Sequence, residues 1–481
     1  MNPVHRDPHP YRLPGRCARR AAGPERGLTP DPADWIRSAR AILSARLRTH
    51  TDRPLALALS GGGDSMALLH LAADWARAKG RRLLALTVDH GLNPDSPDWT
   101  AVAERAAHAA GADWRGLHWT GPKPATGLPA AARTARHRLI AEAAREAGAR
   151  VVLFGHTATD IVEGELMRDQ GSTLGRLREW SPSPAWPEGR GLMLLRPMLD
   201  AGREDVRQWL AGQGGTWIDD PGNHDPRFAR SRARQALTLL PMGEGGLEGR
   251  MRVDWMSGEA APGQSPLTLS RKNDGCAVVR SIPLPWGEGS IDVERSTDIH
   301  TLAAVLVCVG GGDRLPRGDR LSAILDRLRA AEDFTASLCG ARIEARGAQV
   351  FVTREAGEFV RRPCQPLPLD PGVETIWDGR WAITVGSSGW SVAPAAGRMA
   401  SLSDADRAVM KALPPAARGS LPVLIRNDAT APVLAGPAGR ATSLVGERLA
   451  LALDRMTHER DLGAAIHGAL PRNHLFSEAD H

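Results

Sequence analysis

The stretch Ser60-Gly61-Gly62-Gly63-Asp64-Ser65 constrains this chain more than any other. It follows the apolar run at residues 55–59. It opens a segment at 67–78 in which Leu68, Leu71, Ala72 and Trp75 recur at helical spacing. The order is therefore strand, glycine-rich turn, helix. Such a junction points backbone N–H groups and a helix N-terminus at one spot, which suits a phosphate or pyrophosphate. The glycines let the chain take positive φ and let an anion approach the backbone. Ser60 and Ser65 add hydroxyl donors. Asp64 would repel a phosphate unless a Mg²⁺ ion lay between them. No Lys precedes the last Ser, so this is not a Walker A loop, and the spacing is not that of a dinucleotide fingerprint. Taken alone, the turn also fits a connection with no ligand.

Further along, strands and helices alternate. Helix is expected at 33–48, then strands at 55–59, 83–88, 114–119, 151–154 and 192–195, with helices at 98–110, 129–147 and 158–169. This alternation predicts a doubly wound parallel sheet. Ligands of such sheets sit beyond the carboxyl ends of the strands. The polar turns at 60–65, 89–91 and 155–163 all fall there, so they can meet at one crevice.

At 481 residues, with 42% hydrophobic and 24% charged residues, the chain has the composition of a globular protein of two or three domains. Residues 1–30, with six arginines and two acids, carry most of the net charge of +6 and read as a disordered leader. The remainder is nearly balanced, so charge alone argues only weakly for a nucleic-acid partner. Cys17, Cys276, Cys308, Cys339 and Cys364 form no C-x-x-C pair. Their scatter fits a reducing cytoplasm, and no apolar run is long enough to cross a membrane.

Residues 241–297 are rich in Gly, Pro and Ser. They hold two near-copies, Leu240-Pro241-Met242-Gly243-Glu244-Gly245 and Leu284-Pro285-Trp286-Gly287-Glu288-Gly289. They read as a disordered, low-complexity insert. Residues 298–362 are expected to form a mostly helical middle module ending in a hairpin at 342–353. A Pro-rich linker at 363–371 leads to a small α+β module at 372–481, with helices at 402–412 and 443–456.

Several ordered motifs carry a family resemblance: the Ser-Gly-Gly-x-Asp-Ser turn, Val88-Asp89-His90-Gly91-Leu92, and Gly155-His156-x-x-x-Asp160-x-x-Glu163. They resemble the PP-loop ATP pyrophosphatases. Gly127 to Arg133 with Arg136 and Arg138, then Leu195-Arg196-Pro197-Met198-Leu199, Asp219-Asp220-Pro221-Gly222-Asn223-His224-Asp225 and Arg230-Ser231-Arg232-Ala233-Arg234, narrow the match. In that order they resemble the tRNA(Ile)-lysidine synthetase family.

The resemblance implies a PP-loop, adenine nucleotide alpha-hydrolase-like domain over 31–240 and a tRNA-binding middle module over 298–362. It implies ATP as co-substrate with Mg²⁺, free lysine, and an isoleucine tRNA with a CAU anticodon. ATP would adenylate C2 of the wobble cytidine with release of pyrophosphate, and the lysine amine would then displace AMP. Ser60, Gly61, Gly62, Gly63, Asp64, Ser65, Asp89, His90 and His156 would line the nucleotide site, with Asp64 as the Mg²⁺ ligand. Asp64, Asp160, Glu163 and Arg230 would serve the chemistry. Arg133, Arg136, Arg138, Arg232 and Arg234 would meet tRNA phosphates.

Bland alternatives stand beside each of these. Asp89-His90 fits a plain strand-end turn with a capping carboxylate. Asp160 and Glu163 share a helix face, which also fits an acidic helix start. The arginine runs fit solvated helix faces, and His156 a structural histidine. Two positions depart from the family pattern: Thr159 where a second Asp is usual, and Gly164 where Thr is usual. They keep open a tRNA-binding homologue with impaired catalysis. A thiolase-like enzyme would need cysteines to carry sulfur, and these are scattered.

Overall fold

The computed structural model of the protein describes residues 32–171, 175–219, 229–238, 279–284, 287–314, 316, 318–427, 431–438 and 440–463. The expected leader at 1–30, residues 241–278 of the expected insert, and the stretch 220–228 that includes Asp220 and Asn223 lie outside the described residues.

The first domain begins with α1 (Pro32–Arg46) and then alternates as expected. The run is β1 (Leu55–Ala58), α2 (Gly63–Ala78), β2 (Leu83–Asp89), α3 (Ser96–Ala109), β3 (Asp113–His118), α4 (Leu128–Glu146), β4 (Val151–Leu153) and α5 (Ala158–Asp169). It continues with β5 (Trp180–Pro182), β6 (Met193–Leu195), α6 (Arg203–Gly212) and α7 (Ala229–Thr238). The strands form one sheet in the order β3-β2-β1-β4-β6-β5. Every pair is parallel except β5 with β6. The edge strand β5 and helix α6 were not anticipated from the sequence.

Apolar side chains on both faces of β1 and β4 explain their central places, because helices cover the sheet on each side. Leu55, Leu57, Val151 and Leu153 join a core with α1, α2 and α6, while Ala56 and Val152 face a second core with Ile140 and Ala144 of α4. From β1 the chain proceeds outward through β2 and β3, then crosses back to β4 on the other side. The switch in direction therefore falls between β1 and β4, whose carboxyl ends carry the glycine-rich turn and Gly155-His156.

The middle module differs from the mostly helical unit expected. Helices Ile299–Gly310 and Gly318–Arg329 pack on a five-stranded antiparallel sheet. Its order is β7 (Val279–Leu284), β8 (Gly287–Val293), β11 (Gln349–Arg354), β10 (Ala341–Arg346), β9 (Phe334–Leu338). The expectation of a disordered insert through 297 is corrected at its end, since β7 and β8 lie within it. Ile291 and Val293 alternate into the core, a period-two signal masked by the Gly- and Pro-rich repeat before it.

The supposed linker also pairs: β12 (Leu367–Leu369) joins β15 (Trp390–Pro394), β16 (Pro422–Arg426) and β17 (Val433–Leu434). A second small sheet holds β13 (Thr375–Trp377), β14 (Trp381–Thr384) and β18 (Arg440–Ser443). Helices Asp404–Lys411 and Val445–Ala452 stand where they were expected.

Residues beyond 444 leave the C-terminal module. Val445 and Leu449 enter the middle core, while Ala450, Leu451, Met456 and Leu462 complete the first domain's core. Trp180 Nε1 donates to the Met456 carbonyl at 2.8 Å. Arg81 and Glu459 form a two-pronged ion pair at 2.7 and 2.6 Å, with both side chains buried. The Arg48 N–H donates to the same carboxylate at 2.9 Å.

Truncating one member of a buried pair strands the other charge. Glu459→Ala should therefore lower unfolding stability by about 3–5 kcal/mol, whereas the double change Arg81→Met with Glu459→Leu should recover most of it. Urea denaturation of the three proteins checks both values.

Candidate active site

The glycine-rich turn closes on itself through its serines. Ser65 Oγ donates to the Gly62 carbonyl at 2.9 Å, accepts from the Ser60 N–H at 3.2 Å, and lies 3.1 Å from Ser60 Oγ. Gly61 has φ of 80°, and a Cβ there would sit 2.5 Å from Ile218 Cδ1. Its carbonyl accepts the Ile218 N–H at 2.9 Å, which pins the chain after α6 against the turn. A Cβ on Gly155 would lie 2.8 Å from the Asp64 carbonyl oxygen, so glycine lets the β4 exit press on the first turn of α2.

The β4 exit leads into α5 through a capping box. Asp160 Oδ2 accepts from the Thr157 backbone N–H at 2.8 Å and from its hydroxyl at 3.1 Å. That cap leaves Asp160 Oδ1 turned inward with Glu163, one helical turn on. Both carboxylates are buried. The two therefore share a face as the spacing predicted, but toward the protein interior rather than toward water.

Arg203, the first residue of α6, joins the carboxylates of two helices, α2 and α5. Its Nε donates to Asp64 Oδ2 at 3.0 Å, Nη1 to Glu163 Oε1 at 2.7 Å and Nη2 to Asp160 Oδ1 at 3.1 Å. The three carboxylates more than offset the guanidinium's burial and hold its pKa above the ordinary value. Asp64 is pushed above the ordinary carboxylate range, first by burial and further by Asp160, against the pull of Arg203. Sequence reading missed Arg203. Its signal was Gly202-Arg203-Glu204-Asp205 opening an amphipathic helix with Val206 and Leu210 inward.

The remaining expected residues divide. Arg234, assigned above to tRNA phosphates, donates from Nε to Glu163 Oε1 at 2.7 Å and so belongs to this carboxylate group. Arg232, two residues earlier on α7, is exposed, and the side chain of Arg230 lies outside the described residues. Asp89 caps its own turn, accepting the Gly91 N–H at 2.7 Å, with His118 Nδ1 3.5 Å from its other oxygen. His90 packs edge-on against Trp119, and burial followed by the Arg136 charge lowers its pKa.

His156 Nδ1 accepts from Arg196 Nε at 3.2 Å, and its ring stacks over Phe154, which in turn stacks on His137. Burial, with Arg133 and Arg136 nearby, pushes His137 down to about 2, so its ring is neutral at neutral pH. Burial and the Arg133 and Arg178 charges bring Arg196 down to about 10, still cationic at neutral pH. Arg133 and Arg136 thus gather beside the His156 turn. Arg138 is exposed on another face of α4, where its charge acts on Glu142.

Among the described residues no group of three or more His, Cys, Asp or Glu has the geometry to hold a metal by itself. Asp64 Oδ1, however, is buried with no hydrogen-bond partner. One carboxylate oxygen beside the glycine-rich turn suits Mg²⁺, which usually takes one or two carboxylates plus substrate phosphates and water.

A family model for the PP-loop domain matches residues 36–240. A tRNA(Ile)-lysidine synthase from Caulobacter vibrioides is 44% identical over 429 residues, spanning 87% of this chain and 98% of the relative. The chain belongs to the tRNA(Ile)-lysidine synthase family. A second member, from Hyphomonas neptunium, is 34% identical and matches over 79% of this chain and 98% of its own length. A third, from Mesorhizobium japonicum, is 35% identical over 71% of this chain and 75% of its own.

The two departures from the lysidine synthase pattern find plain structural settings. Thr159 Oγ1 accepts from the Arg203 backbone N–H at 3.3 Å and so helps seat α6. Gly164 has room, since an added Cβ would meet only Arg168 Nη1 at an ordinary 3.6 Å. Gly164→Ala should therefore raise stability by about 0.5–1 kcal/mol through helix propensity alone, readable as a shift in the urea midpoint.

Arg203→Met should do the reverse. It leaves three carboxylates without their shared counter-charge and should cost about 3–5 kcal/mol at neutral pH. Without that partner Asp64, already raised by burial, binds a proton more readily in the folded than in the unfolded chain. The loss should then shrink as pH falls toward the ordinary carboxylate range of about 4, checked by urea titrations at several pH values.

Proposed function

We propose that this protein joins lysine to C2 of the wobble cytidine in an isoleucine tRNA bearing a CAU anticodon, through an adenylated cytidine. The observation that carries the reading is the meeting of Asp64, Asp160 and Glu163 at Arg203, beside the glycine-rich turn at the sheet's switch point, in a chain of the lysidine synthase family.

The base's O2 attacks the α-phosphorus of ATP, and the bond from that phosphorus to the bridging oxygen of the β-phosphate breaks. The lysine ε-amine then attacks C2, and AMP leaves with the former O2. Charge builds on the leaving pyrophosphate in the first step. The backbone N–H groups of 61–65 and the amino end of α2 lie where they can stabilise it. Asp64 Oδ1 would hold the Mg²⁺, which supplies charge neutralisation at the phosphates when bound.

The second step needs a neutral amine, while free lysine has a pKa of about 10.4. Asp160 and Glu163 supply buried carboxylates that can receive the incoming ammonium and take its proton. Arg203 and Arg234 hold those carboxylates now, so an ammonium enters by competing with a guanidinium. Arg133 and Arg136, whose charges act on the neighbouring His137, would offer positive charge to the tRNA backbone. The glycine turn and the carboxylate group would thus divide the two half-reactions between them.

The experiment mixes the protein with ATP, Mg²⁺, labelled lysine and a CAU-anticodon isoleucine tRNA transcript. Label should enter the tRNA with one pyrophosphate released per lysine joined. Pyrophosphate release without label transfer would refute lysine as the acceptor's partner. Asp64→Ala should abolish incorporation while tRNA affinity in a filter-binding assay stays within about threefold, since tRNA contacts are spread over many phosphates.

A further inference from the structure

Arg203 is saturated: each guanidinium nitrogen that faces the site already donates to a carboxylate. One turn further along α6 stands Arg207, whose situation is different. Its guanidinium lies over the Trp217 ring, 5.9 Å from the centroid. Its Nε is buried and has no hydrogen-bond partner among the described residues. A Cβ on Gly63, the first residue of α2, would sit 3.2 Å from both Cγ and Nε of Arg207. The glycine at that position is what lets the arginine lie along the phosphate-binding turn. Its charge is near enough to Asp64 to favour the ionised carboxylate.

A buried donor left unmade costs about 1–3 kcal/mol, and native structures seldom keep one without a use. The carboxylates of Asp64, Asp160 and Glu163 are meanwhile bonded to Arg203 or Arg234. Counted together, Asp64, Asp160 and Glu163 against those two arginines leave an excess of negative charge where a polyphosphate would bind. A cation whose buried Nε is unspent, beside the glycine turn, corrects that excess. We propose that Arg207 is a binding residue for the β- and γ-phosphates of ATP, held against Trp217 beside the turn that receives the leaving pyrophosphate. The inference rests on the reading that the turn takes ATP.

The test is calorimetric binding of ATP and of AMP, each with Mg²⁺, to the full chain and to its Arg207→Ala and Arg207→Lys variants. Arg207→Ala should weaken ATP about tenfold, equivalent to about 1.4 kcal/mol, while AMP, which lacks the two outer phosphates, binds as before. Arg207→Lys should recover part of the loss, because a point charge replaces a fork. Unchanged AMP affinity also reports an intact fold. Loss of ATP and AMP affinity in equal measure would make Arg207 a structural prop and overturn the proposal. So would ATP affinity within about twofold of the parent. A parent protein that fails to bind ATP at all would instead sink the ATP reading, and this inference with it.

Discussion

One guanidinium surrounded by three carboxylates holds the crevice end of the first domain together. Asp64 arrives on α2, Asp160 and Glu163 on α5, and Arg203 on α6, so a single charged group ties three elements to each other. Unit charges about 5 Å apart at an effective dielectric constant of about 20 repel by about 3 kcal/mol. Without a counter-charge, three such carboxylates would push the starts of α2 and α5 apart. Assembly of the crevice and balance of its charge are therefore one requirement. The upward shift of Asp64, present even with Arg203 in place, marks how little charge the site tolerates beyond that balance.

That arrangement depends in turn on where the sheet reverses. Only the adjacent carboxyl ends of β1 and β4 bring a glycine turn and an acidic helix start within bonding distance of one α6 side chain. Gly155 makes the approach possible, since any side chain there would strike the backbone at Asp64. The departures at Thr159 and Gly164 fall at the edge of this group rather than in it. Thr159 keeps a hydrogen bond to the backbone of α6, and Gly164 leaves space and a weaker helix. Neither removes a carboxylate that Arg203 contacts.

Away from the crevice, the chain binds its modules by returning to its start. The segment after β18 fills gaps in both the middle core and the first core, and its buried Glu459 neutralises Arg81 just before β2. Trp186 Nε1 reaches the Gly379 carbonyl at 2.7 Å, and Arg448 lies over the Trp186 ring at 4.1 Å. The first domain is thereby complete only when the last described residues are in place, which couples its stability to modules distant in sequence.

The sequence by itself determined the parallel sheet, the strand–turn–helix at 60–65 and the shared face of Asp160 and Glu163. Each is a local pattern: apolar runs, glycines and a spacing of three report on neighbours along the chain. Tertiary structure alone decided that Arg203 and Arg234 would satisfy those acids, that Asp89 would cap its own turn, and that β8 would extend the middle sheet. It also decided that residues beyond 444 would serve the first domain. Charge pairing and core closure are made between residues far apart in the chain, and one guanidinium among many arginines carries no local mark of which carboxylates it will meet. Only the folded backbone supplies those distances.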